Sequence, residues 1–242
     1  MLEVEGLTKY FAGLAAVSNV SFEVPEGKIS ALIGPNGAGK TTTFSMIAGA
    51  VRPTEGRVRF EGRDITGFKP ERIAAIGISR TFQVVRPMIG MNVLENAMIG
   101  ALARGAGLGE AEETAAECLT LVGLGNKLGE DPSSLTLPDR KMLEIARCLA
   151  MRPKLLLLDE AMAGLRPSEA DSVIGALREL NARGLTILLI EHVMRVVMSL
   201  AEHVAVLHHG EMIAQGTPRE VVDDPKVIAS YLGNKKVEDA PA

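Results

Sequence analysis

Short, almost wholly apolar runs recur along the chain and are separated by segments with helical periodicity. Residues 28–33, 155–158 and 185–190 are such runs, and each is typical of a strand that is buried on both faces of a parallel sheet. Helical patterns are found at about residues 39–48 and 168–182. Strands that alternate with helices in this way predict an α/β fold with a mostly parallel core sheet.

The N-terminal region has a different pattern. Residues 2–4, 20–24 and 57–65 alternate apolar and polar positions, which predicts a small antiparallel β-subdomain in front of the core. Near the other end of the chain, His208, His209 and Gly210 separate two short apolar strands. This arrangement predicts a further β-hairpin.

The middle third, at about residues 86–150, has a predominantly helical pattern. Asn92 and Glu95 have the spacing of a capping box at the start of a first helix. A second helix is predicted at about residues 110–122 and a third near Pro138, because proline suits the first helical position, where an N–H would lack a partner. We therefore predict an inserted α-helical subdomain in this region.

Length and composition agree with one domain that has a substantial core. The chain has 242 residues, of which 47% are hydrophobic, and a mean hydropathy of +0.18, which excludes a disordered or fibrous chain. No window reaches the roughly 18–20 uninterrupted apolar residues that a membrane-spanning helix needs. We predict one domain at residues 1–235, with the helical subdomain inserted, and a flexible C-terminal tail at residues 236–242.

Charge and aromatic content narrow the classes of function. Lys and Arg number 26 against 30 Asp and Glu, which gives a net charge of −4, and aromatic residues make up 3%. A basic groove with stacking platforms needs a different composition, so we expect no nucleic-acid partner. Cys118 and Cys148 have no C-x-x-C motif, and the N-terminus has no signal-peptide pattern. Both observations favour a reduced, cytoplasmic compartment.

A glycine-rich segment with a phosphate-binding pattern follows the first core strand. It fits G-x-x-x-x-G-K-[ST] without a gap, between a predicted strand and a predicted helix. Backbone N–H groups and the helix N-terminus would converge on phosphate oxygens, Lys40 would neutralise the β- and γ-phosphates, and the Thr41 hydroxyl would ligate Mg²⁺. The alternative is a glycine turn followed by an exposed lysine. The candidate ATP-contacting residues are Gly34, Pro35, Asn36, Gly37, Ala38, Gly39, Lys40, Thr41 and Thr42.

Two adjacent carboxylates end a second apolar strand, because Asp159 and Glu160 directly follow residues 155–158. Asp159 would hold Mg²⁺ through its water shell, and Glu160 would polarise the water that attacks the γ-phosphate. An Asp-Glu pair after a strand is by itself often only a solvated helix start. Together with the glycine-rich loop, however, it predicts a Mg²⁺-dependent ATPase.

These motifs together resemble the ATP-binding-cassette (ABC) family of ATPases over residues 2–233. The resemblance implies a P-loop NTPase fold and roles for three more residues. Phe11 lies where the family stacks an aromatic ring on adenine, Gln83 matches the residue that touches the metal and the attacking water, and His192 matches the switch histidine at the γ-phosphate. Each of the three, taken alone, is also consistent with a packing or surface role. The implied catalytic residues are Lys40, Gln83, Glu160 and His192, and the implied metal-contacting residues are Thr41, Gln83 and, through water, Asp159.

Several segments are similar to the ATPases of branched-chain amino acid importers in particular. They comprise residues 77–83, 92–96, 143–148, 163–165 and 190–192. The resemblance implies an ATP-hydrolysing subunit that drives a separate permease for branched-chain or related amino acids or amides. Its partners would be a second ABC ATPase (the same or a different chain) in a head-to-tail dimer, two permease subunits and, indirectly, a periplasmic or extracellular solute-binding protein. It would lie on the cytoplasmic face of the inner or cell membrane.

Two other functions stay open at this point, namely a soluble non-transport ABC ATPase and an ABC ATPase for another substrate class. Soluble cassette ATPases usually carry two cassettes or a long coiled-coil insertion, and this sequence has neither pattern. A group of apolar residues beside the Gln83 segment favours docking to a permease helix, since methionine adapts to contact surfaces, although ordinary core methionines are the alternative. The group comprises Met88, Ile89, Met91 and Met98.

The family's signature segment, Leu-Ser-Gly-Gly-Gln, is altered to Leu135-Thr136-Leu137-Pro138-Asp139. The resemblance implies that this segment contacts the γ-phosphate held by the partner's loop, with Thr136 acting in trans. Leu137 adds a side chain where glycine permits close approach, and Pro138 removes an N–H donor. We hypothesise that pairing with a different ATPase gives one strong and one weak site. The alternative is that Thr136 and backbone contacts suffice and both sites work.

Overall fold

Two β-sheets and a set of surrounding helices make up the described part of the chain, residues 1–81 and 87–232 of this computed structural model. The strands are β1 (Leu2–Phe11), β2 (Leu14–Val24), β3 (Ile29–Ile33), β4 (Glu55–Phe60), β5 (Arg63–Asp64), β6 (Ile78–Arg80), β7 (Leu155–Asp159), β8 (Thr186–Ile190), β9 (His203–His208) and β10 (Glu211–Gly216). The helices are α1 (Lys40–Ile47), α2 (Pro70–Ala75), α3 (Val93–Ala103), α4 (Leu108–Leu121), α5 (Leu137–Ala150), α6 (Pro167–Ala182), α7 (Met194–Leu200), α8 (Pro218–Val222) and α9 (Pro225–Leu232), with a 3₁₀ turn at Pro132–Ser134.

The core sheet has the strand order β10-β9-β3-β8-β7-β6. All its neighbouring pairs are parallel except β9 and β10, which form an antiparallel hairpin. Strands β3, β7 and β8 are buried along their whole length, as expected for parallel strands covered on both faces. The predicted α/β fold with a mostly parallel core sheet is therefore confirmed.

The register of three central strands sets the position of their loops. In the parallel pairing, Leu32 of β3 lies beside Ile190 of β8, and Ile190 lies beside Asp159 of β7. The carboxyl ends of these strands therefore stop at nearly the same level. In an open parallel sheet, ligands bind at this edge, and the segments that follow all three strands begin there.

The N-terminal sheet has the order β2-β1-β4-β5, and every pair in it is antiparallel. This confirms the predicted antiparallel β-region, but β1 and β2 are much longer than the alternating segments at residues 2–4 and 20–24. The pairing of β1 with β2 shifts register between Val4 and Leu7 and again between Leu7 and Lys9. Each shift interrupts the two-residue alternation of inward and outward side chains. The full length of these strands therefore could not be predicted from the sequence pattern.

Helices α3, α4 and α5 lie in the region that was predicted to be helical. The capping box between Asn92 and Glu95 is present at the start of α3. Helix α5 begins at Leu137 with Thr136 as its N-cap, so Pro138 occupies the second helical position and not the first. The N–H of that position also lacks an intrahelical acceptor, so proline is tolerated there. The division into a domain at residues 1–235 and a tail at 236–242 stays a prediction, since residues 233–242 lie outside the described chain.

The core sheet separates two apolar clusters. Ile29, Ala31 and Ile33 of β3 face the cluster that includes helices α3 to α6, whereas Leu32 faces Phe44 of α1 and the N-terminal sheet. The alternation of side chains along β3 therefore ties both layers to the strand that leads into the glycine-rich loop. No helix among the described residues has the length and apolar content required to cross a lipid bilayer.

Close packing of α3 on α5 depends on Gly100. A Cβ atom built at Gly100 would overlap the backbone carbonyl oxygen of Arg147 and crowd the side chain of Ala150. A backbone oxygen in a helix cannot move aside alone, so a side chain at this position requires the two helices to separate.

We expect Gly100→Ala to lower the free energy of unfolding by about 1–3 kcal/mol, the usual cost of overpacking a core. Gly175→Ala is the matched control, because Gly175 also lies inside a helix but a Cβ there meets no atom within 4 Å. That control should raise the free energy of unfolding by about 0.5–1 kcal/mol. Urea unfolding of both variants measures the difference, and equal stability of the two would contradict the packing argument.

Candidate functional site

The segment between β3 and α1 has the backbone conformation of a phosphate-binding loop. Gly34, Gly37 and Gly39 all have positive φ angles, of 147°, 79° and 99°. A Cβ at Gly34 would overlap the Leu207 carbonyl oxygen, and one at Gly39 would lie 2.6 Å from the Ala16 carbonyl oxygen. Glycine is therefore needed at both positions for space as well as for backbone conformation.

An open cavity of about 1000 Å³ lies over this loop. The whole predicted loop, from Gly34 to Thr42, lines it, together with Leu14, Ala15, Ala16, Glu160, His192, His209 and Tyr231. The cavity thus brings together the loop after β3, the first residue after β7 and the second residue after β8. It has the size of a small-molecule site and lies at the edge of the sheet where such sites occur.

Lys40 is held against the loop that precedes it. Its Nζ atom donates hydrogen bonds to the carbonyl oxygens of Gly34 (2.7 Å) and Pro35 (3.0 Å), and the residue is buried. Burial lowers the pKa of the Lys40 ammonium, while the nearby carboxylates of Glu160 and Asp159 act in the opposite direction. An ammonium group in this position can form charge-assisted hydrogen bonds with a phosphate group in the cavity.

Asp159 is almost completely buried at the end of β7 and is paired with a residue that the sequence did not reveal. Its Oδ2 atom accepts a hydrogen bond of 2.8 Å from Arg80, whose other terminal nitrogen donates to the Ser45 hydroxyl at 3.1 Å. Arg80 therefore connects β6, β7 and α1. The Asp159 Oδ1 atom is buried and has no hydrogen-bond partner within the described chain.

The residues present fit a magnesium ion. A buried carboxylate oxygen without a partner is costly in a protein interior, and the free Oδ1 of Asp159 is such an atom. Thr41, in the first turn of α1, supplies a hydroxyl on the cavity wall. Carboxylate and hydroxyl oxygens are ligands that Mg²⁺ accepts, directly or through water.

Glu160 and His192 both line the cavity and face each other there. The Glu160 Oε1 atom lies 3.9 Å from His192 Nδ1, which is too long for a hydrogen bond. Glu160 adopts a left-handed backbone conformation with φ 50°, which is uncommon for a residue other than glycine. Glu160 lines the cavity together with the glycine-rich loop.

Phe11 lies beside the cavity and not on its wall. It is the last residue of β1, is about half exposed, and has Lys9 Nζ 5.2 Å from the centre of its ring. Its antiparallel partner in β2, Leu14, lines the cavity. The adenine-stacking role of Phe11 stays a prediction. Gln83, predicted for metal and water contact, lies outside the described residues.

Thr136 does not line the cavity of its own chain and serves as a helix cap. Its hydroxyl is 2.6 Å from Asp139 Oδ2 and accepts the Asp139 backbone N–H at 3.3 Å. Asp139 also forms an ion pair of 2.7 Å with Lys127. Leu137, at the first helical position, leaves much of its side chain exposed. The altered signature segment is thus a capped helix start that carries a carboxylate.

Two residues with polar side chains on the cavity wall, His209 and Tyr231, were missed by the sequence analysis. His209, for which the sequence predicted only a place in the β-hairpin turn, lines the cavity from the turn between β9 and β10. Because β9 runs parallel to β3, its carboxyl end lies at the same edge, so the topology could have indicated this position. Tyr231 of α9 lines the cavity together with Gly34; burial raises the pKa of its phenol, and the nearby Gly34 N–H acts in the opposite direction. No motif in the sequence marked Tyr231.

Comparison with protein families gives two matches. The model described as "ABC transporter" matches residues 17–163, and the model described as "Branched-chain amino acid ATP-binding cassette transporter" matches residues 211–236. A curated relative from Pseudomonas aeruginosa, the "High-affinity branched-chain amino acid transport ATP-binding protein BraF", is 40% identical. That alignment covers 96% of this chain and 98% of the relative.

Solved structures show the same likeness. A crystal structure of a nucleotide-free ATP-binding cassette from an ABC transporter superimposes with a TM-score of 0.89 at 34% identity, covering 96% of this chain and 99% of the other. The dimeric structure of a bacterial ABC transporter cassette superimposes with a TM-score of 0.81 at 26% identity, covering 90% of this chain and 99% of the other.

We expect Asp139→Asn to lower the free energy of unfolding by about 1 kcal/mol at pH 7, since it weakens the cap of α5. Burial opposes ionisation of Asp139, but hydrogen bonds from Lys127 and Thr136 outweigh it and lower the pKa of the carboxyl. The contribution is therefore present above the unfolded pKa of about 4 and is lost as the pH falls through the lower folded value.

Urea unfolding between pH 7 and pH 3 measures this change, and the variant and the original chain should converge in stability at the acid end. Lys127→Met is the matched control, because it removes the other half of the ion pair. The double variant should lose less than the sum of the two single losses. A difference that stays constant with pH would contradict the role given to the Asp139 carboxylate.

Proposed function

Because this chain belongs to the ABC transporter family of ATP-binding cassettes, we propose that it is the ATP-hydrolysing subunit of an importer for branched-chain or related amino acids or amides. The names of its curated relatives and the family match at residues 211–236 support the substrate class. The observation that carries the proposal is one cavity in which the loop after β3, the Glu160 carboxylate after β7 and the histidine after β8 meet.

The cavity accounts for the binding of ATP. The backbone N–H groups of the loop and the N-terminus of α1 surround the phosphates, which favours negative charge there. The Lys40 ammonium exchanges its carbonyl partners at Gly34 and Pro35 for oxygens of the β- and γ-phosphates. Phe11, beside the cavity, stacks on the adenine ring. Thr41, Gln83 and, through water, Asp159 would hold Mg²⁺, which would supply positive charge to stabilise the charge that develops during transfer.

Glu160 acts as the general base and orients the attacking water. The water oxygen forms a bond to the γ-phosphorus as the bond between that phosphorus and the β–γ bridging oxygen breaks, and the water proton passes to Glu160. ADP and inorganic phosphate are the products. His192, on the opposite side of the cavity and 3.9 Å from the Glu160 carboxylate, donates to the γ-phosphate oxygens. These donors act in a partly buried site, where electrostatic stabilisation exceeds that in water.

A second cassette completes the assembly in this proposal. The dimeric structure of a related cassette supports such a pair. In the described chain, Thr136 and Leu137 lie away from the local cavity and Leu137 is exposed, so they are available to a partner. Pairing head to tail would place Thr136 near the γ-phosphate of the other chain. The Asp139 carboxylate would then face that phosphate and weaken the contact by charge repulsion.

Contact with the membrane permease is assigned to an exposed apolar surface formed by Met88, Ile89 and Met91. All three side chains are exposed, and Ile89 is fully exposed. Met98, which we had grouped with them, is instead partly buried and packs against the core. The surface adjoins α3 and lies close to the Gln83 segment in sequence. In this arrangement the chain sits on the cytoplasmic face of the membrane, with the solute-binding protein on the other side.

We expect Glu160→Gln to lower ATP turnover of the complex by about 100-fold or more, because the amide cannot accept the proton of the attacking water. ATP affinity should change by less than about threefold, since the loop and Lys40 are untouched. Steady-state hydrolysis and equilibrium ATP binding provide the two measurements. Glu202→Gln, at an exposed ion pair with Lys28, is the control and should keep full turnover.

The same experiment tests the asymmetry hypothesis when the partner ATPase is a different chain. The matching glutamate of the partner is then replaced in a second complex, and its turnover is compared with that of the Glu160→Gln complex. Unequal losses support one strong and one weak site. Equal losses show that Thr136 and its neighbours serve the second site adequately, and full turnover in the Glu160→Gln complex contradicts the catalytic role of Glu160.

We expect Met91→Glu to abolish recovery of the chain with membranes, because it places a charge in the apolar permease contact. ATP binding by the purified variant should be unchanged. Met198→Glu is the matched control, since Met198 is also an exposed methionine but lies on α7. Membrane fractionation separates the outcomes. Undiminished recovery of Met91→Glu would contradict the docking role, and a chain that never associates with membranes would favour the soluble alternative.

A further inference from the structure

The turn that carries Glu160 is fixed by hydrogen bonds at both of its peptide groups. The Glu160 N–H donates to the Ile190 carbonyl oxygen at 3.1 Å, and the Glu160 carbonyl oxygen accepts the Ala163 N–H at 3.1 Å. These bonds hold a residue whose φ of 50° is unfavourable for a side chain with a Cβ. A conformation of this kind persists only where its surroundings impose it.

Lys141 supplies a further bond to this turn from a different part of the fold. It lies in the second turn of α5, is 7% exposed, and its Nζ atom donates to the Glu160 carbonyl oxygen at 3.2 Å. A buried ammonium needs negative charge around it. Glu191, Glu144 and Glu160 provide that charge.

Glu191 holds the same turn from the end of β8. It is 1% exposed, and its Oε1 atom accepts the Met162 backbone N–H at 3.2 Å. Its Oε2 atom is buried and has no hydrogen-bond partner in the part of the chain that the structure describes. Burying a carboxylate costs free energy. Glu191, which directly precedes His192, nevertheless contacts the backbone at Met162, two residues after Glu160.

We propose that Lys141 and Glu191 are positioning residues that hold the Glu160 turn in its left-handed conformation and so aim the Glu160 carboxylate into the cavity. Lys141 acts on the Glu160 carbonyl and Glu191 on the Met162 N–H, one from α5 and one from β8. Neither side chain lines the cavity, so both act through Glu160. The inference rests on the proposed function, in which Glu160 is the general base.

The test measures kcat and KM for ATP in the purified membrane complex that contains this chain. Lys141→Met should lower kcat by about 10- to 100-fold, the effect of misplacing a catalytic group by about 1 Å, while KM changes by less than about threefold. Lys141→Arg, which keeps a cationic donor, should recover part of this loss. Glu191→Leu should resemble Lys141→Met. Lys154→Met, at an exposed ion pair with Glu61, is the matched control and should keep full kcat.

A second comparison separates a positioning role from a general loss of structure. In a chain that already carries Glu160→Gln, adding Lys141→Met should lower kcat less than about threefold further, because both changes act through one group. Independent losses that multiply would overturn the proposal, as would full kcat in Lys141→Met. If Lys141→Met does not fold, the same comparison of kcat, with and without Glu160→Gln, is made with Lys141→Arg and Glu191→Gln. Full turnover with Glu160→Gln alone would instead show that the proposed function has failed.

Discussion

Parallel pairing of β3, β8 and β7 is the constraint on which the rest of this structure depends. Leu32, Ile190 and Asp159 lie side by side in the sheet, so the chain leaves three strands at one level. A shift of one residue in either pairing would turn each side chain to the opposite face. The Glu160 turn would then point away from the glycine-rich loop, and His192 would leave the cavity.

The register also explains why so many charged groups lie buried at this edge. Lys40, Asp159, Lys141 and Glu191 are each less than a tenth exposed, and each bonds to backbone or to an opposite charge. Interactions between charges are stronger in such surroundings than in water. The edge therefore combines fixed dipoles with a few unsatisfied atoms such as Asp159 Oδ1, an arrangement that suits a highly charged ligand rather than a neutral one.

Local patterns in the sequence predicted the features that depend on neighbouring residues. Each of these features is determined by a few consecutive residues: the glycine-rich loop, the apolar strand before Asp159 and the cap at Asn92. The contacts of Arg80 with Asp159 and of Lys141 with Glu160 could not be predicted in this way, because they join different elements across 79 and 19 residues. Such pairs depend on strand order and helix packing, to which no short motif corresponds. The length of β1 was missed for another reason, since its register shifts erase the periodicity.

Tyr231, in the last described helix, and Gly34, the first glycine of the loop, line the same cavity. The cavity wall is therefore assembled from the two ends of the described chain, with the core sheet between them. Linkage is reciprocal: if ATP binds more tightly when α9 is docked, then bound ATP secures α9 by the same free energy. A protein that binds α9 would then lower or raise the affinity for ATP without contacting the nucleotide. Under that linkage, helix α9 would allow the affinity for ATP to be changed from outside the site.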